Sequence, residues 1–485
     1  MSTTVVDCSM YVAGEWTESD SGARIEATSP ATGETIGTVP EATRGDAQRA
    51  IAAANAASRE WAARSAFDRA AAMERVAAII EERKDDLART LTLDQGKPFH
   101  AEAYAEVDEL IEYWKMAAAD ARRLEGLMPP SVDASKRVLA YRVPRGVVGV
   151  ITPWNWPYTM AAEVVAPALA SGNSVVWGPA TSTAFCSVKL AECIVDAELP
   201  PGVFNLVTGP GAVVGDEIAV NPGTQAIGFV GSVATGNRVA ERAAGKALLL
   251  EMGGNGPLVV LEDADLDAAV EATLAAAFLC AGQSCTAGER FLVHEDVHDE
   301  YLDKLAAALA KEIRLGDPFA ETTTMGPLNN EGTAEKMDAH VGDAVEHGAE
   351  LVAGGARATG FPTRLYYEAT VLDRVDDQME VAREETFGPI VPISTIRSEH
   401  EALAVIDSSP FGLLTAVFTQ DLRRGLRFAE AARAGWVNVN ESTNYWESHL
   451  PFGGRAGSES GVGRVGGRFS METFTELKTV VVNLS

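Results

Sequence analysis

The sequence predicts an α/β protein of two doubly wound lobes joined by a short β-strand arm, and three observations predict it. From about residue 145, short β-branched or aromatic runs alternate with longer segments of helical periodicity. After Glu251 the alternation starts again. Residues 124–145 and the C-terminus interrupt it with isolated strand patterns.

In chain order, residues 46–64 and 68–93 read as helices that cap the first lobe. Strand patterns follow at 146–151, 174–177, 203–207 and 226–230, with a helical segment at 183–197 between two of them. That rhythm is the signature of βαβ units and a parallel sheet. The second series has strands at 257–261, 290–294, 413–419 and 436–440, with a helix at 266–280. The strands at 137–143 and 479–483 have no sequence neighbour to pair with, and an unpaired edge invites another chain. The expected units are therefore 1–123 with 146–253, then 254–465, then an arm of 124–145 with 466–485.

The chain has 485 residues, ample for large cores at 46 % hydrophobic content. Its 69 acidic against 40 basic residues give a net charge of −29, which argues against nucleic-acid and anionic-membrane partners. Small molecules are the expected partners. The 10 lysines against 30 arginines fit a high-salt cytoplasm, where screening relieves self-repulsion, and equally a GC-rich genome. Five cysteines, widely spaced and mostly in apolar segments, form neither a disulfide framework nor a zinc pair, so no metal is expected. The N-terminus lacks a basic and then apolar leader, and no apolar run approaches membrane-spanning length. A cytoplasmic protein is expected.

Cys285 is the most informative residue. It stands in Gly282-Gln283-Ser284-Cys285-Thr286, 34 residues after Glu251, with Trp154-Asn155-Trp156-Pro157 upstream of both. A thiol among small residues can be approached by a substrate, a carboxylate can activate water, and an amide can donate to an oxyanion. Those three groups suit covalent aldehyde oxidation. Cys280, five residues earlier, reads as a buried structural thiol.

Pro153-Trp154-Asn155-Trp156-Pro157, the Phe229-to-Gly236 segment, Glu251-Met252-Gly253-Gly254, Gly282-to-Cys285, Glu384-to-Pro389 and Pro451-Phe452-Gly453-Gly454 together resemble the aldehyde dehydrogenase superfamily. The resemblance spans nearly the whole chain. It implies an aldehyde dehydrogenase-like fold with two Rossmann-like lobes, cofactor-binding then catalytic, and an oligomerisation arm that makes a homodimer or homotetramer. It also implies Cys285 as nucleophile, Glu251 as the base that hydrolyses the thioester, and Asn155 with the Cys285 N–H as oxyanion donors.

NAD is the expected cofactor, with NADP left open. No GxGxxG turn follows the expected strand, and residues 209–215 are a poor match. Gly231-Ser232 to Gly236, opening a helix, is the better pyrophosphate site. Glu385 and Phe387 resemble the nicotinamide-ribose carboxylate and its packing aromatic, and Thr152, Trp154, Gly211 and Met252 complete the expected cofactor set. The chain departs from its relatives at Gly178 and Thr181, where they carry the lysine and glutamate that bind the adenosine ribose. Losing the glutamate removes a repulsion against a 2′-phosphate; losing the lysine removes an attraction.

A second departure is Glu163-Val164 in place of Trp-Lys, so relays through that lysine do not carry over. An inward carboxylate at 163 would repel carboxylate substrates. Residues 454–461 hold two more residues than the usual anchor loop. Trp156, Trp446 and Phe452, with Glu163 and Thr286, are the expected substrate residues. Two rival readings are a CoA-acylating semialdehyde dehydrogenase, which would not need a base at Glu251, and a non-catalytic binding protein on the same fold.

Overall fold

The computed structural model describes residues 6–485. An eight-stranded sheet forms the first lobe, in the order Gly461–Val462, Ala247–Glu251, Ala226–Val230, Val147–Thr152, Ser174–Pro179, Phe204–Leu206, Met10–Val12 and Glu15–Thr17. Its five central strands are parallel. Helices cover both faces of such a sheet, which is why these strands read as nearly unbroken apolar runs. The chain passes from Val147–Thr152 to Ser174–Pro179 on one side and later to Ala226–Val230 on the other. Strand order thus reverses around Val147–Thr152, and the strand ends beside such a switch leave a crevice for ligands.

The second lobe is a seven-stranded sheet in the order Glu350–Ala353, Thr370–Asp373, Ile390–Ile396, Gly288–His294, Gly256–Val260, Leu414–Phe418 and Trp436–Val439. All its pairs are parallel except that of the edge strand Glu350–Ala353. Each lobe has its own core, centred on Trp114, Trp177 and Phe204 in the first and on Phe278, Phe291 and Phe418 in the second. Among the described residues no helix is long and apolar enough to cross a membrane.

Four expectations change. Residues 68–93 form two helices, Ala66–Glu82 and Lys84–Asp94, because the backbone leaves helical geometry at Arg83. Thr43 and Ser65 start the first two helices with capping boxes closed by Asp46 and Asp68. Met10–Val12 and Glu15–Thr17 extend the first sheet, and Val6–Asp7, Arg24–Thr28 and Thr35–Pro40 make a separate small sheet; three of these strands are only two or three residues long and carry no period. The two isolated strands pair with each other, Lys136–Pro144 antiparallel to Thr475–Asn483, and keep Tyr141, Leu477 and Val481 exposed.

The fourth change concerns the second boundary. Gly461–Val462 lies antiparallel to Ala247–Glu251 in the first sheet, and Phe452, Val465, Met471 and Phe474 join the first core. The chain returns to the first lobe well before residue 465.

Close packing of that lobe rests on missing side chains. A β-carbon on Gly228, in Ala226–Val230, would lie 2.2 Å from Val164 Cγ1 and 3.2 Å from Phe474 Cζ. Gly228→Ala is expected to cost about 1–3 kcal/mol by overpacking. Denaturant titration of Gly228→Ala, Val164→Ala and the double variant checks this. The double variant should lose less than the two singles summed, because removing the valine methyls vacates the contested space.

Candidate active site

Four loops converge at the sheet switch. Val147–Thr152 runs out into Pro153-Trp154-Asn155, Ala226–Val230 into Gly231-Ser232, and Ala247–Glu251 ends on Glu251 itself. The helix Leu266–Phe278 supplies the fourth, and it ends in an unusual turn. Cys280, Ala281 and Gly282 have φ of 54°, 52° and 72°, a left-handed run that redirects the chain and delivers Cys285 into the crevice.

Buried hydrogen bonds hold this turn. Glu102 Oε1 accepts from the Cys280 N–H at 3.1 Å, Gln283 Nε2 donates to the Cys280 carbonyl at 2.8 Å, and the Asn329 N–H donates to Gln283 Oε1 at 2.9 Å. Gln95 Nε2 lies 3.4 Å from Cys280 Sγ. Burial pushes the Cys280 thiol up to about 12, as suits a structural cysteine. None of Gln95, Glu102 or Asn329 carries a sequence signal, because their role exists only through contacts with a distant turn.

Cys285 sits where two cavities meet. One, of about 880 Å³, is lined by Trp154, Asn155, Gly231, Ser232, Glu251, Gly253, Cys285, Glu385 and Phe387, and also by Asn330, Thr333 and Lys336, which the sequence reading missed. The other, narrower, is lined by Trp156, Met160, Glu163, Glu251, Thr286, Asn444, Trp446, Phe452 and Cys285. Glu251, Met160 and Cys285 belong to both walls, so two ligands could reach one sulfur from opposite sides.

Asn155 donates one amide hydrogen to the Gln283 carbonyl at 2.9 Å, which fixes the side chain and leaves the second hydrogen for a ligand. Glu251 is buried, and its Oε1 has no hydrogen-bond partner. Burial raises its carboxyl to about 8; the neighbouring Cys285 thiol opposes the rise and Glu385 adds to it. The Cys285 thiol is itself pushed well up, by burial first and then by Glu251, Glu385 and Glu163. Both groups therefore resist ionising, and a carboxyl raised to about 8 can take or give a proton near neutral pH.

The larger cavity suits a phosphate-bearing ligand. Ser232 is the N-cap of the helix Val233–Arg242, yet its hydroxyl meets Thr235 Oγ1 at 3.1 Å and caps no backbone N–H, so the first-turn donors stay available. Glu385 Oε1 accepts from the Gly254 N–H at 2.9 Å, and a β-carbon on Gly253 would lie 2.7 Å from it. Phe387, held at φ 60°, is fixed by Glu289, which accepts from the Thr386 and Phe387 N–H groups at 2.7 Å each; its ring meets Trp154 edge-on at 5.6 Å. A third cavity, of about 660 Å³, lies beside the helices Val214–Val220 and Val233–Arg242 and is lined by Ile151, Gly211, Thr235 and Arg238 among others.

The profile of the aldehyde dehydrogenase family matches residues 16–480. The chain belongs to that family. It is 38 % identical to the 3-sulfolactaldehyde dehydrogenase of Pseudomonas putida over 97 % of this chain and 96 % of that protein. It is also 38 % identical to the NADP(+) succinate-semialdehyde dehydrogenase of Escherichia coli K12, over 97 % of each. The betaine aldehyde dehydrogenase of Staphylococcus aureus, solved in complex with NAD+, superposes with a TM-score of 0.95 at 32 % identity, covering 98 % of this chain and 95 % of that one.

Within this family fold, five of the expected cofactor residues line none of the three cavities. The Thr152 hydroxyl is taken by the Trp177 indole N–H at 2.8 Å. Gly178 lies within a buried strand, where a β-carbon would meet Ile218 Cδ1 at 3.0 Å and Val214 Cγ1 at 3.3 Å, so a side chain there starts against the helix Val214–Val220. Thr181 opens a 3₁₀ turn beyond that strand. Met252 and Gly236 pack on each other beneath the Ser232 helix, where a β-carbon at 236 would be 2.0 Å from Met252 Sδ. Their contact sets the height of that helix.

For this aldehyde dehydrogenase, Gly282→Ala is expected to lower stability by about 1–3 kcal/mol and to remove most aldehyde-oxidising turnover. The residue combines positive φ with a β-carbon position 2.2 Å from the Gly388 carbonyl oxygen, a backbone atom that cannot swing aside. Thermal melting and steady-state assay of the same preparation check both effects.

Proposed function

We propose that this chain oxidises an aldehyde with NAD(P)+ and water to a carboxylate and NAD(P)H through a thioester on Cys285. The observation that carries the reading is the position of Cys285 in the shared wall of two cavities, with Glu251 and Asn155 beside it. Cys285 loses its proton and attacks the carbonyl carbon from the smaller cavity. The free Asn155 amide hydrogen and the Cys285 N–H stabilise the oxyanion, each such donor being worth on the order of 3 kcal/mol. A nicotinamide dinucleotide would be held in the larger cavity by Ser232 and the helix start, Glu385 and Phe387, with Gly211 in the neighbouring cavity, and would supply the hydride acceptor. Glu251 then takes a proton from water, which attacks the thioester and releases the acid and the thiol.

The relatives named above act on anionic aldehydes and on a quaternary ammonium aldehyde, so family membership alone leaves substrate charge open. The same reading places a homodimer or homotetramer in the cytoplasm, joined through the exposed strands of the arm.

Cys285→Ala should abolish oxidation and retain dinucleotide binding, read by absorbance of the reduced cofactor and by titration calorimetry; appreciable turnover would sink the covalent route. Glu251→Gln should show a pre-steady-state burst of reduced cofactor and then slow turnover. A CoA-dependent acyl transfer would instead leave both rates unchanged by this substitution. Because the base form of Glu251 exists above its raised pKa, kcat should climb with pH to about 8 and level beyond it, and the Gln variant should lose that climb.

A further inference from the structure

The smaller cavity has a charge and an aromatic lining that the oxidation chemistry does not require. Glu163 projects into it from the helix Thr159–Ala170, every residue of which is buried. Its Oε1 accepts from the Tyr113 hydroxyl at 3.2 Å. The wall carries two carboxylates, Glu163 and Glu251, and neither lysine nor arginine. The nearby cation, Lys97, is already spent. Its ammonium lies over the outer face of Trp156, 3.1 Å from the ring centroid, and is locked to Glu106 at 2.5 Å in an ion pair with no exposure on either side.

Around Glu163 the remaining surface is aromatic. Trp446 lies 6.1 Å from Tyr113 and 5.6 Å from Phe452 between ring centroids, and Trp156 closes the same cavity. Aromatic faces attract cations, most strongly where water is excluded. A buried carboxyl with no basic side chain beside it can ionise against a bound cation and so match its charge, whereas an anion in the same space finds no partner. Two further groups there lack partners: Glu251 Oε1 and Trp156 Nε1 are buried without a hydrogen bond.

Resting on the aldehyde-oxidation reading, we propose that the substrate is a cationic aldehyde, one whose carbon chain ends in an ammonium or trimethylammonium group, with Glu163 as counter-ion and Trp156, Trp446 and Phe452 as the enclosing faces. The cation sits beyond Cys285 while the carbonyl reaches the sulfur. Burial, with Glu251 and Glu109 adding, disfavours a bare carboxylate at Glu163, and a bound cation offsets that cost. A carboxylate-ended aldehyde of the same length would find no cation to pair with in that wall and would further oppose ionisation of Glu163. An uncharged one would gain the aromatic contact alone.

The test measures kcat/KM of the full-length enzyme for 4-trimethylammoniobutanal, 3-aminopropanal, butanal, glyceraldehyde and succinate semialdehyde, with NAD and with NADP. At least one cationic aldehyde should exceed butanal by about tenfold or more, and succinate semialdehyde should fall below butanal by a similar factor. The two cationic arms separate a primary ammonium from a quaternary site. In Glu163→Gln, the cationic-to-butanal ratio should drop at least about tenfold. A wild-type preference for butanal, glyceraldehyde or the semialdehyde would overturn the proposal whether or not the variant folds. So would a Gln variant that loses the same factor on every aldehyde, since that marks Glu163 as a positioning residue. Turnover of no aldehyde of any charge would instead overturn the oxidation reading beneath it.

Discussion

The left-handed turn at Cys280, Ala281 and Gly282 is the constraint on which the site depends. Two of its residues are not glycine, and each such conformation costs on the order of 1–3 kcal/mol. Bonds from Glu102, Gln283 and Asn329 compensate the turn, and those groups come from three separated stretches of chain. Without the turn, the helix Leu266–Phe278 would carry Cys285 past the mouth of the crevice. With it, the sulfur lies between the cleft of Ser232 and Glu385 and the cavity of Trp156 and Glu163.

Burial then sets the chemistry. Few side chains at this junction are cationic, and the carboxyls of Glu251, Glu163 and Glu385 are all raised mainly by lost solvation. Clustering carboxyls in this way keeps negative charge scarce around the thiol until a ligand brings charge of its own. Lys336 is the exception, and it donates to the Glu385 carbonyl on the cleft side.

Much of this could be read from residues alone because strands buried on both faces leave uninterrupted apolar runs; Ala226–Val230 and Gly256–Val260 fall where those runs lie. Cys285, Glu251, Asn155, Trp446 and Phe452 could be nominated because they stand in or align with the family's motif positions. Short edge strands such as Met10–Val12 were not legible, since two or three residues carry no period. The return of Gly461–Val462 was hidden because pairing partners over 200 residues apart leave no local trace. Gly178 shows another limit: its place in a motif is legible, but that a β-carbon there would meet Ile218 and Val214 is visible only in the fold.

The loop at residues 454–461 has a mechanical meaning. Ser460 accepts from the Met252 N–H through its carbonyl at 3.3 Å and from the Gly412 N–H through its hydroxyl at 3.1 Å, while the Arg455 N–H reaches the Gly412 carbonyl at 2.9 Å. One short stretch thus stitches the strand that ends on Glu251 to a loop of the opposite lobe. The chain crosses between lobes at 251–256 and returns beside that crossing, so the lobes are laced together and not hung on a hinge. Traffic through the two cavities then falls to side chains and short loops at their rims, and the distance between Glu251 and Cys285, one from each lobe, is insulated from gross domain motion.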